Sequence, residues 1–341
     1  MKITQRVKDI AYFSVIVLLV LVMVLSGLRI LESTLLRTKV GEETFESKTI
    51  YRGETAYFPR QDITTVLVLG IDRFGPVEDS GSYQNAGAAD MAMVVLLDHA
   101  AEECRILQLN RDTMVEMPVL GPGGRQAGTA YAQLALAHTY GSGLEDSCEN
   151  VRQTVSNFLY GIDLDYYVSM NMDAIPILND GVGGVSVTVT EDFSQVDPTI
   201  QKGRMTLRGD QSINFVRTRK GVGDQLNLTR IQRQRDYVNG FVDAFTAARE
   251  QDDHLITGLY SDVSSYLVSD LSVNALSGMI DRYSHYPIVE VVSPEGRNVL
   301  GEEFYEFYPD EERTSFPTLL KAMVLSTIVL FVMNSLTGLM M

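Results

Sequence analysis

The chain has 341 residues, 45% of them hydrophobic, and a formal net charge of −16. A protein this acidic repels polyanions over most of its surface, and nothing in the sequence indicates general binding to nucleic acid. Its two cysteines form no CxxC motif and no Cys/His cluster, which argues against a zinc site.

The N-terminus has the pattern of a membrane anchor. Residues 1–10 contain three basic side chains, and residues 11–28, within a predicted anchor at 11–31, carry no charge. A run of about 20 apolar residues crosses a bilayer as a helix. No small-residue cleavage site follows, so we expect an uncleaved signal anchor with a cytoplasmic N-terminus. The polar residues 32–63 are interpreted as a stalk.

Residues 64–300 predict one folded domain. Apolar and alternating runs indicate six strands, and helical spacing indicates five helices between and after them. The strands are at residues 65–71, 91–97, 104–109, 166–170, 185–189 and 288–292, and the helices at 130–140, 149–160, 172–179, from 227 onward and at 271–283. This alternation predicts an α/β fold, layered αβα, with a mixed central sheet.

The C-terminal part resembles a linker followed by a second span. Residues 301–321 are acidic and are interpreted as a solvated linker, and residues 322–341 are apolar enough for a second transmembrane helix. A helix lying on the membrane or folded onto a partner is the alternative. The expected location is the cytoplasmic membrane, single- or double-anchored, with the main domain outside. Such a location permits a disulfide between Cys104 and Cys148, although two separate buried thiols are the simpler interpretation.

Two aspartates stand at predicted strand ends. Asp72 directly follows the first strand, and Asp90 directly precedes the second. Each alone is typical of a turn or cap, but strand ends meet at the rim of a sheet, where open α/β folds bind ligands. If the strands are neighbours, the two carboxylates form an all-oxygen site suited to Mg²⁺.

Basic residues are concentrated in an otherwise acidic chain. Arg111 follows the third strand beside Asp112, and Arg217, Arg219, Arg230 and Arg233 fall within 17 positions. If residues 215–219 are extended, Arg217 and Arg219 point the same way. Arg230 and Arg233 lie about one helical turn apart. A solvated helix face is the alternative, but such a focused group of guanidinium groups favours a diphosphate ligand.

These blocks together resemble the LytR-CpsA-Psr family of cell-envelope transferases. The resemblance covers residues 64–245 and includes VLVLGIDR, the strand led by Asp90, LNRDT, and FVRTRK through TRIQRQRDYV. It implies a membrane-anchored phosphotransferase that moves a glycopolymer phosphate from an undecaprenyl-pyrophosphate carrier to peptidoglycan. The chemistry is consistent with this, because arginines and a metal neutralise charge on a transferred phosphoryl group.

The resemblance also assigns residues to roles. Asp72 and Asp90 would hold Mg²⁺. The pyrophosphate would be bound by Arg73, Arg111, Arg217, Arg219, Arg230, Arg233 and Gln234. Arg111 is also a catalytic candidate. The family carries a carboxylate, a candidate general base, where this chain has Asn227, and Asp224 is the possible substitute.

Other departures leave alternatives open. Ala88 stands where the family usually has arginine, and Asn110 replaces a proline. Together with Asn227, these changes leave two alternative functions open: a non-catalytic envelope protein that binds lipid-linked glycan intermediates, and a polyprenyl-pyrophosphate hydrolase. A polyprenyl carrier also requires an apolar channel, for which the helices predicted at 130–137 and 173–178 are candidate walls, although ordinary core packing is the commoner role of such segments.

Overall fold

A computed structural model describes residues 50–52, 55–60, 62–121, 124–218, 220–222, 227–301, 304–310 and 324–326. The predicted anchor at 11–31 and most of the predicted stalk lie outside these ranges. So does the predicted span at 322–341, apart from three residues that form a strand. None of the helices in the described part of the chain has the length and hydropathy that a bilayer crossing requires.

The chain divides into two compact units. One comprises residues 1–60 with Val324–Met341, and the other is Gln61–Met323. In the first unit, strand β2 (Thr55–Pro59) pairs antiparallel with both β1 (Ile50–Arg52) and β15 (Val324–Ser326).

The larger unit is built on a six-stranded mixed sheet. Its strands in spatial order are β11 (Leu267–Ser269), β8 (Tyr166–Asn171), β3 (Ile63–Ile71), β4 (Ala89–Asp98), β5 (Glu103–Leu109) and β12 (Ile288–Val292). Parallel pairs join β3 to β8 and β5 to β12, and the other neighbours are antiparallel. The three central strands are the apolar runs that the sequence predicted, and their burial explains why they are apolar on both faces.

Helices cover both faces of this sheet, as predicted. Their bounds are α1 Glu145–Phe158, α2 Ala174–Gly181, α3 Asp210–Arg217, α4 Asn227–Arg249, α5 Leu255–Val263 and α6 Val273–Tyr283. On one face α1 packs against β8, where Arg152 lies 5.8 Å from the ring centre of Tyr167. On the other face α4 and α6 contribute Val238 and Met279 to a cluster with Met93 and Ile106.

Smaller sheets flank the core. Strands β6 (Met114–Leu120) and β7 (Gln126–Gln133) form an antiparallel hairpin, β9 (Val185–Val189) pairs with β10 (Gly203–Leu207), and β13 (Gly296–Leu300) pairs with β14 (Tyr305–Pro309). The segment predicted as an acidic linker therefore contains a strand, because Tyr305–Pro309 pairs along its whole length with β13.

One local prediction is wrong. The helix predicted at residues 130–140 is the end of β7 followed by a short 3-10 helix, Leu134–Thr139, because residues up to Gln133 pair with β6. The condition that residues 215–219 are extended is not met either, because α3 continues to Arg217 and Thr218 is extended after it. Cys104 and Cys148 are separate buried thiols, as expected.

Candidate functional site

A β-bulge sets the geometry of the site. Strands β3 and β4 pair in regular register until Gly70 meets Met91, and the next pair is Ile71 with Ala89, so Asp90 is the extra residue. A bulged residue breaks the alternation of side chains along a strand. As a result both Asp90 and its neighbour Met91 line the same cavity. The Asp72 backbone N–H donates to the Ala88 carbonyl at 2.9 Å, which holds the two strand ends together.

Asp90 is the centre of an arginine cluster. Arg111 Nη1 donates to one carboxylate oxygen of Asp90, and Arg230 Nη1 lies 3.6 Å from the other. Arg111 Nε lies 3.4 Å from Asp112, so a second carboxylate orients the same guanidinium group. Both Asp90 and Arg230 are largely buried. Burial strengthens such charge pairs, and removing one partner leaves the other charge uncompensated.

Asp72 holds a third arginine beside the cluster. Arg217 donates to Asp72 Oδ1 through Nε at 3.1 Å and Nη2 at 2.9 Å. The Arg217 guanidinium also lies 5.4 Å from the ring centre of Phe74. These contacts fix the direction of a side chain that is nevertheless 45% exposed. Arg217 can therefore reach a ligand in solvent while remaining oriented by its neighbours.

A polar chain that the sequence reasoning missed supports Gln234. Arg235 donates to Gln108 Oε1 at 3.0 Å, and the Gln108 amide donates to Gln234 Oε1 at 3.3 Å. Arg235 also donates to the Ser293 hydroxyl at 2.7 Å. Gln108 is almost fully buried, although it lies in an apolar strand. The amide of Gln108 within an apolar run was the signal in the sequence that could have revealed this chain, because a buried polar side chain needs hydrogen-bond partners.

The structure corrects the prediction for Arg233. This side chain is 3% exposed, and its two terminal nitrogens donate to the backbone carbonyls of Phe215 and Thr218. Its guanidinium lies 5.3 Å from the ring centre of Phe193. Arg233 thus ties the end of α3 to α4 and is not directed at a pyrophosphate, although it lies about one turn from Arg230.

Arg73 is also set apart from the cluster. The structure shows no ion pair between Arg73 and either Asp72 or Asp90 among the described residues, and its assignment to pyrophosphate remains a prediction. Its charge acts on buried His138, whose Nδ1 lies 2.7 Å from the Gly87 carbonyl. Burial, assisted by Arg73, lowers the pKa of His138 to about 4.

Three further predicted residues are not tested by the structure. Arg219 and Asp224 lie outside the described residues. Asn227 is the first residue of α4, where a helix was predicted to begin, but its side chain is not described.

An apolar cavity of about 260 Å³ opens beneath the arginine cluster. It lies between the central sheet and α4, and the polar side chains that line it are Asp90, Asn171, Arg217, Arg230, Gln234 and Tyr237. The apolar lining includes four methionines, Met91, Met93, Met170 and Met172, and residues Ile175 and Leu178 of α2. The candidate wall at 173–178 thus contributes Ile175 and Leu178 to this cavity, whereas residues 130–137 do not line it, and a polyprenyl channel here stays a prediction. Methionine side chains adapt readily to a flexible apolar ligand.

A second apolar cavity of about 580 Å³ lies on the same face of the sheet. It shares Val68, Val95 and Phe241 with the first cavity and extends between α4 and α6. Together they give this face room for an extended apolar chain.

The arrangement suits an amphipathic anion. Three guanidinium groups, those of Arg111, Arg217 and Arg230, contact three carboxylates, those of Asp72, Asp90 and Asp112. The cluster is therefore balanced in charge, and an anionic ligand would bind by replacing carboxylate oxygens around the guanidinium groups. Asp72 and Asp90 offer only oxygen atoms, and a pair of carboxylates completed by phosphate oxygens is a common Mg²⁺ site. No group of three or more acidic, histidine or cysteine ligands occurs among the described residues.

Comparison with known proteins identifies relatives. The model of the LytR_cpsA_psr family matches residues 35–314. A polyisoprenyl-teichoic acid–peptidoglycan teichoic acid transferase, TagU of Bacillus anthracis, is 27% identical over 228 residues, which cover 67% of this chain and 66% of the relative. The corresponding TagT of Bacillus subtilis is 29% identical over 193 residues, 54% of this chain and 53% of TagT. The chain thus spans just under two thirds, or about half, of these relatives.

A solved structure shares the fold. The crystal structure of B. subtilis TagV superposes with a TM-score of 0.60 at 23% identity, covering 77% of this chain and 96% of TagV. At this identity the likeness establishes the fold alone, and it agrees with the mixed central sheet described above.

Proposed function

The chain belongs to the LytR-CpsA-Psr family, and from that premise we propose that it is a glycopolymer transferase. Its donor is a glycopolymer carried on undecaprenyl pyrophosphate, and its acceptor is a hydroxyl group of peptidoglycan. The relatives are named as transferases that join polyisoprenyl-linked teichoic acid to peptidoglycan, which supports this class of substrates.

One observation carries the proposal: the arginine cluster stands at the mouth of an apolar cavity. Asp90, Arg217 and Arg230 line the same cavity as Met93 and Ile175. A diphosphate bound to guanidinium groups would leave its isoprenoid chain pointing into an apolar space. Charge-assisted hydrogen bonds of about 1.5 to 3 kcal/mol each would hold the diphosphate firmly.

Arginine side chains supply most of the transition-state stabilisation in the proposed reaction. Arg111, Arg217 and Arg230 exchange their carboxylate partners, wholly or in part, for phosphate oxygens when the donor binds. They then stabilise negative charge on the transferred phosphoryl group and on the departing undecaprenyl phosphate. Asp112, which lies 3.4 Å from Arg111 Nε, keeps that guanidinium directed at the same point.

Asp72 and Asp90 are the residues that would hold Mg²⁺. A divalent cation there supplies further neutralisation of the diphosphate charge. It would also replace the ion pairs that the two carboxylates lose when the arginines bind phosphate.

The acceptor hydroxyl must lose a proton during transfer. Asn227 cannot accept it, because an amide is not a base at neutral pH. We assign this role to Asp224, and we expect Asp224→Asn to lower transfer while leaving the binding of donor intact.

The decisive experiment is turnover with the full chain. Incubation with lipid-linked donor, Mg²⁺ and peptidoglycan should release undecaprenyl phosphate and attach polymer, and release should depend on acceptor. Release without acceptor would indicate a hydrolase, and stoichiometric binding without release would indicate a non-catalytic binder. Either result would contradict the transferase proposal.

We further propose that the protein acts at the outer face of the cytoplasmic membrane through the N-terminal anchor at residues 11–31. The basic residues Lys2, Arg6 and Lys8 before this segment support that orientation. Protease digestion of intact protoplasts tests it, because residues 64–300 should then be degraded.

A further inference from the structure

The β6–β7 hairpin presents an unusual outer face. In its register Met114 pairs with Gln133, Glu116 with Tyr131 and Pro118 with Thr129. Directly opposed residues of an antiparallel pair lie on the same face. The residues between them, Val115 and Met117, are buried, so this face is the outer one. It carries an aromatic ring, a carboxylate and an amide in a row.

Residues of this outer face, together with Val115 and Met117 of β6, line a groove of about 660 Å³. One wall comes from the C-terminal half of α1, with Gln153, Asn157 and Phe158, and another from β14, with Tyr308. Tyr131 is 62% exposed, which is high for a tyrosine in a strand. Tyr308 is held in place, because its hydroxyl donates to Glu306 at 2.6 Å and Arg297 lies 5.7 Å from its ring centre.

The groove differs from the arginine cluster in the charge of its lining residues. None of the described residues that line the groove is basic, and its single charged lining residue is Glu116. Among the described lining residues a phosphate-bearing polymer would meet no cation. Aromatic rings together with amide side chains are instead suited to uncharged sugars, whose C–H faces pack on rings and whose hydroxyl groups pair with amides.

The groove leads toward the proposed catalytic residues. Met114 lies three residues after Arg111, a distance of about 10 Å of extended chain at most. Gln133, on the same outer face, donates to Asp112 at 3.3 Å and to the Tyr305 carbonyl at 2.7 Å. Asp112 in turn contacts Arg111. The hairpin that lines the groove is thus connected to the arginine cluster through Gln133, which lies beside the groove lining, and Asp112.

We propose that this groove binds an uncharged glycan strand, and that this strand is the acceptor. The ligand class follows from the lining of the groove, whereas the acceptor role rests on the proposed function. The donor diphosphate and the acceptor sugars then approach Arg111 from different sides, and the groove fixes which stretch of sugar chain reaches the reactive phosphoryl group.

The test uses the full chain in detergent and tetra-N-acetylchitotetraose, an uncharged four-sugar strand, with saturation-transfer NMR as the binding measurement. Tyr131→Ala should weaken binding about tenfold, because it removes the most exposed ring of the groove. Gln153→Ala should weaken it by a smaller factor. Tyr305→Ala is the matched control, since Tyr305 is a similarly exposed tyrosine outside the groove lining, and it should bind as the wild type does.

Kinetics give a second readout. Tyr131→Ala should raise the KM for peptidoglycan about tenfold and leave donor binding unchanged, with thermal unfolding confirming that the variant is folded. Unaltered chitotetraose binding by both Tyr131→Ala and Gln153→Ala would overturn the inference, as would equal losses in Tyr305→Ala. If the wild type binds the sugar through Tyr131 but transfers no polymer, the acceptor role fails with the proposed function while the glycan site stands.

Discussion

The two faces of the central sheet are equally apolar in sequence but differ in how completely they are covered. On the face covered by α1, Leu67, Leu69 and Leu96 are fully buried, and Val151 and Val155 of α1 are fully buried as well. On the face covered by α4 and α6, strand residues such as Val68 and Val95 border cavities of about 260 and 580 Å³.

This difference shows where stability and binding reside. Close packing on the α1 face supplies most of the dispersion and burial that hold the sheet. The α4 face keeps space beside its apolar side chains, and the bulge at Asp90 directs a carboxylate to the mouth of that space. Substitutions on the α1 face should therefore alter folding, and those around the cavity should alter function.

The largest effect is expected for Arg111→Ala. Loss of this guanidinium should lower the rate of polymer transfer about a thousandfold, because charge on the phosphoryl group loses a preorganised partner. Arg105→Ala is the matched control: Arg105 lies in β5, pairs with Glu103 and Asp98, and is similarly exposed. Transfer should be measured with lipid-linked donor. An equal loss of transfer rate in both variants would show that Arg111 has no specific role in the reaction.

A stability comparison separates the two faces directly. Leu69→Ala should lower the free energy of unfolding by about 3 kcal/mol, the usual cost of a cavity in a packed core. Met93→Ala should cost clearly less, because Met93 already borders an open cavity. Denaturant unfolding of both variants measures the difference. Equal costs would show that the α4 face is as tightly packed as the other.

The pH dependence of stability tests buried His138. Its pKa is lowered to about 4, whereas an unfolded imidazole titrates near 6.5. As the pH falls through this window the unfolded chain takes up the proton first, so stability is full above about pH 6.5 and declines toward pH 4. The loss should reach roughly 3 kcal/mol.

His138→Gln removes this titration. Denaturant unfolding at pH 7 and pH 4.5 should show a smaller decrease in the variant than in the wild type. An identical decrease in both proteins would mean that other groups account for the acid sensitivity.

The smallest effect is expected from filling the cavity. Ile175→Phe should weaken the binding of undecaprenyl diphosphate about tenfold, because the added ring occupies space needed by the isoprenoid chain. Binding of inorganic diphosphate should not change. Val299→Phe, on an exposed strand residue, is the control. Equal weakening of both ligands would show that the substitution distorts the arginine cluster itself.

Much of the fold was predictable because it depends on local patterns. The strands β3, β4 and β5 are apolar runs that need burial on both faces, and α4 begins at Asn227 as predicted. The helix prediction at residues 130–140 was wrong because the pairing of β7 with β6 overrides the local helical spacing. Strand pairing is a nonlocal effect that the sequence of a single segment does not reveal.

The site was predictable in its residues but not in its geometry. Asp72, Asp90, Arg111, Arg217 and Arg230 were identified by their positions at strand ends and by charge, and the structure brings Arg111 and Arg230 to the same carboxylate. Arg233 was misassigned because helical spacing gives the direction of a side chain but not what lies opposite it. It binds the carbonyls of Phe215 in α3 and of Thr218 directly after it, and no helix had been predicted there from the sequence.

The most direct test is a structure of the full chain with undecaprenyl diphosphate and Mg²⁺. We expect diphosphate density in contact with Arg111, Arg217 and Arg230, and an isoprenoid chain between Met93 and Val238. Lipid density outside this cavity, or a diphosphate remote from Asp90, would contradict it.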